Sequence, residues 1–384
     1  MAPPAQPELD ALVTRVLEQL SETPYSCSSL TRLVNGTTNF VFRGILTRPL
    51  PLGDDKPVET VIVKYTADFA ALNKDLPIDA SRCVVEGSIL NLLNNLPDGS
   101  LVRTPHLYLF DQSTSTQVLQ DIPDAVDLKT ILVSPTANVP LSQPLATSIG
   151  YALGSWLRSF HSWASTQSRD GAHRGAEIGP NEPMRKLKYL VTYGSFIGNL
   201  EQFPDVLGDH RKTLEEVKLM AADEFEKSGA DAHGDEWGII HGDFWSGNIL
   251  ISETQTRDEA PGLFVVDWEF VQFGHRAYDL GQMVGDLCER KHFQDAQAAA
   301  WAVDAFLAGY GAVADDVAFR AAIHAGVHLI TWLARGPPLA MRPAWARERA
   351  AGAVKLGLDM VLRGWARDRE WFAGSGLAGL FSSR

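Results

Sequence analysis

The chain has 384 residues, a net charge of −13 and 45% hydrophobic side chains, an ordinary globular make-up with room for two or three domain-sized units. No apolar run approaches the roughly 20 residues that cross a bilayer, and no basic stripe suits nucleic acid. Three widely spaced cysteines (Cys27, Cys83, Cys288) build neither a disulfide framework nor a zinc site. The opening MAPPAQPELDALVTRVLEQL lacks a basic leader followed by an apolar block, so no signal peptide is expected and a cytoplasmic setting is. The charge surplus falls in residues 201–300, where 21 acidic side chains face 8 basic ones. Most of 205–236 reads as a solvated helix face, and the acidic balance suits cations, either metal ions or a positively charged substrate.

In chain order, Leu9, Leu12, Val13, Val16, Leu17 and Leu20 give an amphipathic helix over 8–20. SLTRLVNGTTNFVFRGIL then reads as two strands around a turn and ETVIVKYTA as a third, with the proline-rich TRPLPLGDDKP as an exposed connection. Helical spacing returns over 80–95, where Val85, Ile89, Leu92 and Leu93 form the stripe, and LYLFD and TQVLQDI follow as strands. After Asp121 helical periodicity dominates, over 143–163, 184–200, 209–228, 292–311, 316–334 and 344–369. It is interrupted by NILIS and LFVVDWE, two short strands joined by ETQTRDEAPG. The expected organisation is an α+β chain with a small β-rich lobe over 1–120 and a larger, mainly helical lobe over 121–384. The Arg-rich stretch 345–369 suits a packing or homo-oligomer surface.

IIHGDFWSGNILI is the stretch richest in chemistry. Phosphoryl transfer to a hydroxyl needs a carboxylate to orient the attacking group and accept its proton, and an uncharged oxygen ligand for Mg²⁺. Asp243 and, five residues on, Asn248 supply both from one short loop, at the spacing of the protein-kinase catalytic loop. LFVVDWEF then ends an apolar strand on Asp267 and Glu269, which would share a strand face and reach one metal ion. In the small lobe, Lys64 ends the strand TVIVK and is expected to meet phosphate oxygens, with Glu86 on the following helix within reach as its partner. Gly36, Thr37, Thr38 and Asn39, in the turn between the first two strands, offer backbone N–H groups to phosphates. Each signal alone is common; their order along one chain is the evidence.

With HGDFWSGN at 241–248, VDWEFVQFGHRAYDL at 266–280, Lys64 and Glu86 in place, the chain resembles the aminoglycoside phosphotransferase and choline kinase superfamily of small-molecule kinases over roughly 25–335. The resemblance implies a bilobal protein-kinase-like fold, ATP and Mg²⁺ as cofactors, and phosphorylation of a hydroxyl on a small molecule. It also implies adenine binding by the backbone from Gln120 to Ile122. The D-W-E triplet resembles 5-methylthioribose kinases and fungal hydroxytryptamine kinases, but the Arg-Arg pair of the former is missing. Candidates for the acceptor pocket are Trp245, whose ring could carry a cationic substrate, Asp279, Asp286, Trp332 and Arg335. Asp279 also suits support of the catalytic loop, Asp286 a helix surface, and His161 and His241 bracing roles. A nucleotide-binding module without turnover is disfavoured because no catalytic residue type is missing. A protein kinase is disfavoured by HGD in place of HRD and by the absence of a following A-P-E.

Overall fold

β-Branched and aromatic residues dominate β2 (Phe40–Leu50) at its start and β3 (Val58–Tyr65), and the more polar β1 (Cys27–Leu33) pairs with β2 at the edge of their sheet. The structure, a computed structural model, describes residues 4–34, 36–51, 57–94, 101–133, 141–169, 181–227, 234–252, 262–332 and 341–381. Of the connection expected over TRPLPLGDDKP, residues 47–50 instead continue β2 and 52–56 lie outside the described residues, as do 253–261 of the ETQTRDEAPG loop. The chain divides into two units, one of residues 1–98 and 104–123, the other of 99–103 and 124–384.

In the first unit, a small hairpin, β4 (Phe69–Ala70) and β5 (Asn73–Pro77), leads into helix α2 (Arg82–Leu93), while α1 (Gln6–Leu20) precedes the sheet. With β7 (Leu107–Asp111) and β8 (Thr116–Gln120) the antiparallel order is β1-β2-β3-β8-β7. Alternation along β3 sends Val61 and Val63 to one face, where they pack with Leu12, Val16 and Leu20 of α1. Each such side chain contributes roughly 1.5–3 kcal/mol on burial. Lys64 points to the other face, as does Gln117, its neighbour in register on β8. There the Gln117 amide donates to the Cys83 carbonyl of α2, 3.2 Å away, so α2 covers the face that carries Lys64.

In the second unit, β6 (Val102–Arg103), β9 (Val126–Asp127), β11 (Ile249–Ile251) and β12 (Leu263–Val265) form a sheet of order β6-β12-β11-β9. β10 (Trp237–Ile240) pairs with β13 (Gln272–His275). The helices are α3 (Leu128–Val133), α4 (Gln143–Arg169), α5 (Glu182–Val191), α6 (Arg211–Glu226), α7 (Ala277–Gln294), α8 (Gln297–Tyr310), α9 (Asp315–Trp332) and α10 (Ala344–Trp365), with shorter turns between them. The helix expected from 292 starts at 297, because Asp295 in a left-handed conformation ends α7. A core of Tyr193, Leu214, Val217, Tyr278, Ile323, Val327, Val354 and Val361 holds α6, α7, α9 and α10 together. Where α4 meets α8, Gly150 and Gly154 allow backbone contact, since a Cβ at either would strike the carbonyl of Ala302 or Phe306. Among the described residues no helix is long and apolar enough to cross a membrane.

Candidate active site

In the first unit, Lys64 and Glu86 form a buried ion pair at 2.7 Å. Burying an ammonium is costly without a compensating charge, so the carboxylate fixes where the lysine can sit. The turn Gly36–Asn39 is held by Arg82, which is fully buried: its guanidinium donates to the Thr38 carbonyl at 3.3 Å and to Asn39 Oδ1 at 2.9 Å. The Leu72 amide adds a bond to the Thr37 carbonyl. Sequence reading gave Arg82 no role, and nothing in its spacing marks it. At the end of β8 the Gln120 N–H donates to the His106 carbonyl at 2.8 Å, so that group is already committed within the unit. Ile122 is buried, and Asp121 between them is paired with Arg43 at 2.8 Å.

In the second unit β10 ends at Ile240 and the chain turns through His241, Gly242 and Asp243. Gly242 has φ 78, and a Cβ there would strike the Phe270 carbonyl, so the turn needs glycine. Asp279, fully buried, accepts the N–H groups of His241 and Gly242, each at 2.8 Å, on its two oxygens. One of these oxygens also meets His161 Nε2 at 3.1 Å, and His161 Nδ1 lies 2.9 Å from the Tyr310 hydroxyl. Asp279 is thereby given to the loop, and the substrate contact considered for it is not what the structure shows. The loop's far end is tied in the same manner: Asp286 accepts the Ser246 N–H at 3.2 Å and pairs with Arg290 at 2.8 Å. Asp286 is fully buried, so a helix-surface place does not fit it, and the cation it meets is Arg290. His241 accepts the Asp243 N–H on Nδ1, which leaves Nε2 protonated to donate to the Val266 carbonyl at 3.1 Å. Burial lowers the pKa of both His161 and His241 despite nearby carboxylates, which suits their bracing roles.

The Asp243 carboxylate receives four donors. Oδ1 accepts Lys188 Nζ at 2.8 Å and Gln282 Nε2 at 2.7 Å. Oδ2 accepts the Trp245 indole N–H at 3.2 Å and Asn248 Nδ2 at 3.1 Å. Burial by itself raises this carboxyl, but the Lys188 charge and the bonds from Lys188 and Gln282 outweigh it, holding the pKa well below the usual range. Sequence reading missed both Lys188 and Gln282. Asp279, Gln282 and Asp286 stand three and four residues apart on α7, a single helical stripe facing the loop, so spacing from the two aspartates would have pointed to Gln282. Lys188 lies 55 residues upstream of Asp243 on another helix, and no local pattern marks it.

Asn248 also donates to the Asp243 carbonyl at 2.9 Å. Its amide protons are thus committed to Asp243, and what it offers a cation is its carbonyl oxygen. The antiparallel register of β11 and β12, extended by the Val266 N–H on the Asn248 carbonyl at 3.0 Å, brings Asn248 and Asp267 to one end of this hairpin. An amide oxygen and a carboxylate make a hard donor set that fits Mg²⁺. The expectation that Asp267 and Glu269 share a strand face is not met. β12 stops at Val265, Asp267 turns back with φ 64, and Glu269 lies buried in a 3-10 turn over Trp268–Phe270. The Trp245 and Trp332 rings meet at 4.8 Å, Trp332 stacks on His328, and Lys129 lies 5.5 Å over the Trp245 ring, so that ring already carries a cation. Arg335 lies outside the described residues.

Comparison with known proteins gives this geometry a setting. Residues 127–315 match the model of the phosphotransferase enzyme family. The chain is 32% identical over 382 residues to the phosphotransferase FrzJ of a Cladobotryum species, covering 95% of each chain. It is 24% identical over 335 residues to 4-hydroxytryptamine kinase of Psilocybe cubensis, covering 84% of this chain and 85% of that one. Among solved structures, the amicoumacin kinase hAmiN in complex with AMP-PNP, Ca²⁺ and Ami superposes with a TM-score of 0.52 at 10% identity, over 94% of this chain and 96% of that one, and shares the protein-kinase-like fold.

Proposed function

Because this chain belongs to the phosphotransferase enzyme family, we propose that it transfers the γ-phosphoryl group of ATP, with Mg²⁺, to the hydroxyl of a small amine-bearing alcohol. The observation that carries the reading is the Asp243 carboxylate, fixed by four donors and with its side chain still 22% exposed, next to the paired ends of β11 and β12. Asp243 orients the attacking hydroxyl and takes its proton as the new O–P bond forms. Asn248 and Asp267 would hold the metal ion, with Glu269 as a further candidate from the adjoining turn. In the other unit Lys64, steadied by Glu86, meets the α- and β-phosphates. The backbone of Gly36, Thr37, Thr38 and Asn39 would serve the phosphates, and the segment from Gln120 to Ile122 would hold the adenine. When bound, Mg·ATP supplies the transferable phosphoryl group and the positive charge that offsets its oxygens.

The amine-bearing acceptor is supported by the similarity to a kinase of 4-hydroxytryptamine, itself a hydroxylated amine, and by the acidic balance of residues 201–300. Trp245 and Trp332 form one wall of the acceptor pocket in this reading, with Arg335 beyond them. The test is ADP release with Mg·ATP across 4-hydroxytryptamine, ethanolamine, choline, aminoglycosides, fructosamines and 5-methylthioribose, with Asp243→Asn as the blank. Turnover with an amine-bearing acceptor that vanishes in the blank supports the reading. Turnover confined to 5-methylthioribose would overturn the substrate class, and turnover undiminished in the blank would overturn the role of Asp243.

A further inference from the structure

The loop HGDFWSGN contains no lysine or arginine, yet its carboxylate has a cation against it. We propose that Lys188 is a positioning residue for phosphoryl transfer, which with Gln282 clamps Oδ1 of Asp243 and thereby presents Oδ2 to the acceptor hydroxyl. This inference rests on the assignment of Asp243 as the base.

Three hydrogen bonds close a ring. Lys188 Nζ donates to Asp243 Oδ1 at 2.8 Å and to Gln282 Oε1 at 2.6 Å, and Gln282 Nε2 returns to the same Oδ1 at 2.7 Å. Two groups from two helices therefore determine one oxygen, and neither moves without breaking two bonds. Lys188 is 6% exposed and its ammonium sits 5.5 Å over the Phe270 ring, so the charge is held in a site that excludes most water. An ammonium stays there only with its partners in place.

The helix that delivers Lys188 is anchored to the other half of the site. Immediately before α5 stands Asn181, 4% exposed and with φ 44, whose Nδ2 donates to the carbonyls of Glu269 and Val271 at 2.8 Å each. One turn from Lys188, the hydroxyl of Thr192 closes the helix end on the Lys188 carbonyl at 2.6 Å. α5 is thus stapled to the turn that follows Asp267, and its lysine is aimed at Asp243. The other oxygen, Oδ2, has Trp245 and Asn248 as its donors, at the two longest distances of the four. An acceptor hydroxyl is served there in the place of the indole N–H: its proton passes to Oδ2 while its oxygen bonds to phosphorus and ADP departs with the electrons of the broken bond.

The experiment is a double-mutant cycle on Lys188→Met and Asp243→Asn, in the full chain, with ADP release measured under single-turnover conditions using 4-hydroxytryptamine, ethanolamine and water as acceptors. Lys188→Met should lower the rate about 100-fold with KM for Mg·ATP changed less than about threefold, the signature of misplacement at the reacting centre. In the Asp243→Asn background the same change should cost little, because Lys188 acts through that carboxylate. A readout independent of turnover is the melting temperature. It should fall by several degrees in Lys188→Met, which leaves the Asp243 charge without its counter-ion, and by less in the double variant, where no charge is left uncompensated. Should Lys188→Met fail to fold, Lys188→Arg, which keeps the charge but moves it, should retain the fold and lose rate with KM held. A rate within threefold of wild type in Lys188→Met and in Lys188→Arg, or a cycle that is additive, overturns the clamp alone, whereas such a rate in Asp243→Asn overturns the role of Asp243 and the clamp with it. Wild-type silence with every acceptor and with water overturns the proposed function, and the clamp with it.

Discussion

Each unit buries a lysine against a carboxylate, and the two pairs work in opposite senses. Lys64 and Glu86 lie 2.7 Å apart with side chains 6% and 2% exposed, and Lys188 and Asp243 lie 2.8 Å apart at 7% and 22%. In each pair the more exposed member is the one proposed to meet a ligand: the lysine in the first, the carboxylate in the second. The deeper member supplies the opposite charge without which its partner could not remain ionised away from water. Under the proposed function, the same kind of bond would hold a cation for phosphate in one unit and a carboxylate for a hydroxyl in the other.

The largest way to break this comparison is at Asp243. Asp243→Asn should lower kcat about 10³-fold, the scale of a lost general base, while ATP still raises the melting temperature. An enzyme within tenfold of wild type would remove Asp243 from the chemistry. Asp279 sharpens the comparison, because this buried carboxylate is held by two backbone N–H groups and a histidine in place of a lysine. Asp279→Asn turns an NH₂ group toward one of those amides and should cost about 2 kcal/mol of stability, read from the urea midpoint, the penalty for a buried donor without an acceptor. A loss below about 0.5 kcal/mol would mean that water reaches the loop. In the first pair, Lys64→Met should raise KM for Mg·ATP about tenfold, as expected for one charge-assisted phosphate contact. Glu86→Gln should do so by less, because it loosens the lysine without removing it. Equal and larger effects of both on the acceptor KM would contradict the division of labour.

The first pair was legible in the sequence and the second was not, for a physical reason. Lys64 ends an apolar strand and Glu86 sits on the inner stripe of the next helix, so periodicity alone places both on facing surfaces. The five-residue spacing of Asp243 and Asn248 was legible in the same way, within one loop. Lys188 reaches Asp243 because α5 is stapled to the turn after Asp267, and sequence does not state which distant faces will meet. The D-W-E triplet misled because an apolar run into Asp267 reads as continuing strand. A left-handed Asp267 ends it instead, a conformation that Asp tolerates better than most residues and that only the surrounding packing selects. The α+β fold class was legible in the change of periodicity near residue 120, a signal summed over many residues and therefore robust to single surprises.

His275 carries the comparison to a buried cationic group that is not kept charged. It is 5% exposed, Nδ1 accepts the Ala277 N–H at 3.2 Å, and Trp237 lies edge-on to its ring at 5.1 Å. Burial is the main reason its pKa is lowered to about 3; Glu224 opposes the shift, but Arg320, Arg276 and Lys227 add to it. Glu224 is itself engaged by Arg320 and the Tyr278 hydroxyl, so it has little charge left to offer an imidazolium. Protonation would also set a donor against the Ala277 N–H. Between about pH 6.5 and 3 the unfolded chain therefore binds a proton that the folded chain refuses, and stability is complete above that window and falls as pH drops through it. At pH 5.5 the loss from this one residue should be about 1 kcal/mol relative to pH 7.5. His275→Gln can still accept from Ala277 through its amide oxygen and does not titrate, so its urea midpoint should decline less steeply over the same interval. Parallel pH profiles for the two proteins would show that His275 is protonated in the fold, and that a carboxylate already engaged by an arginine can hold a second buried cation.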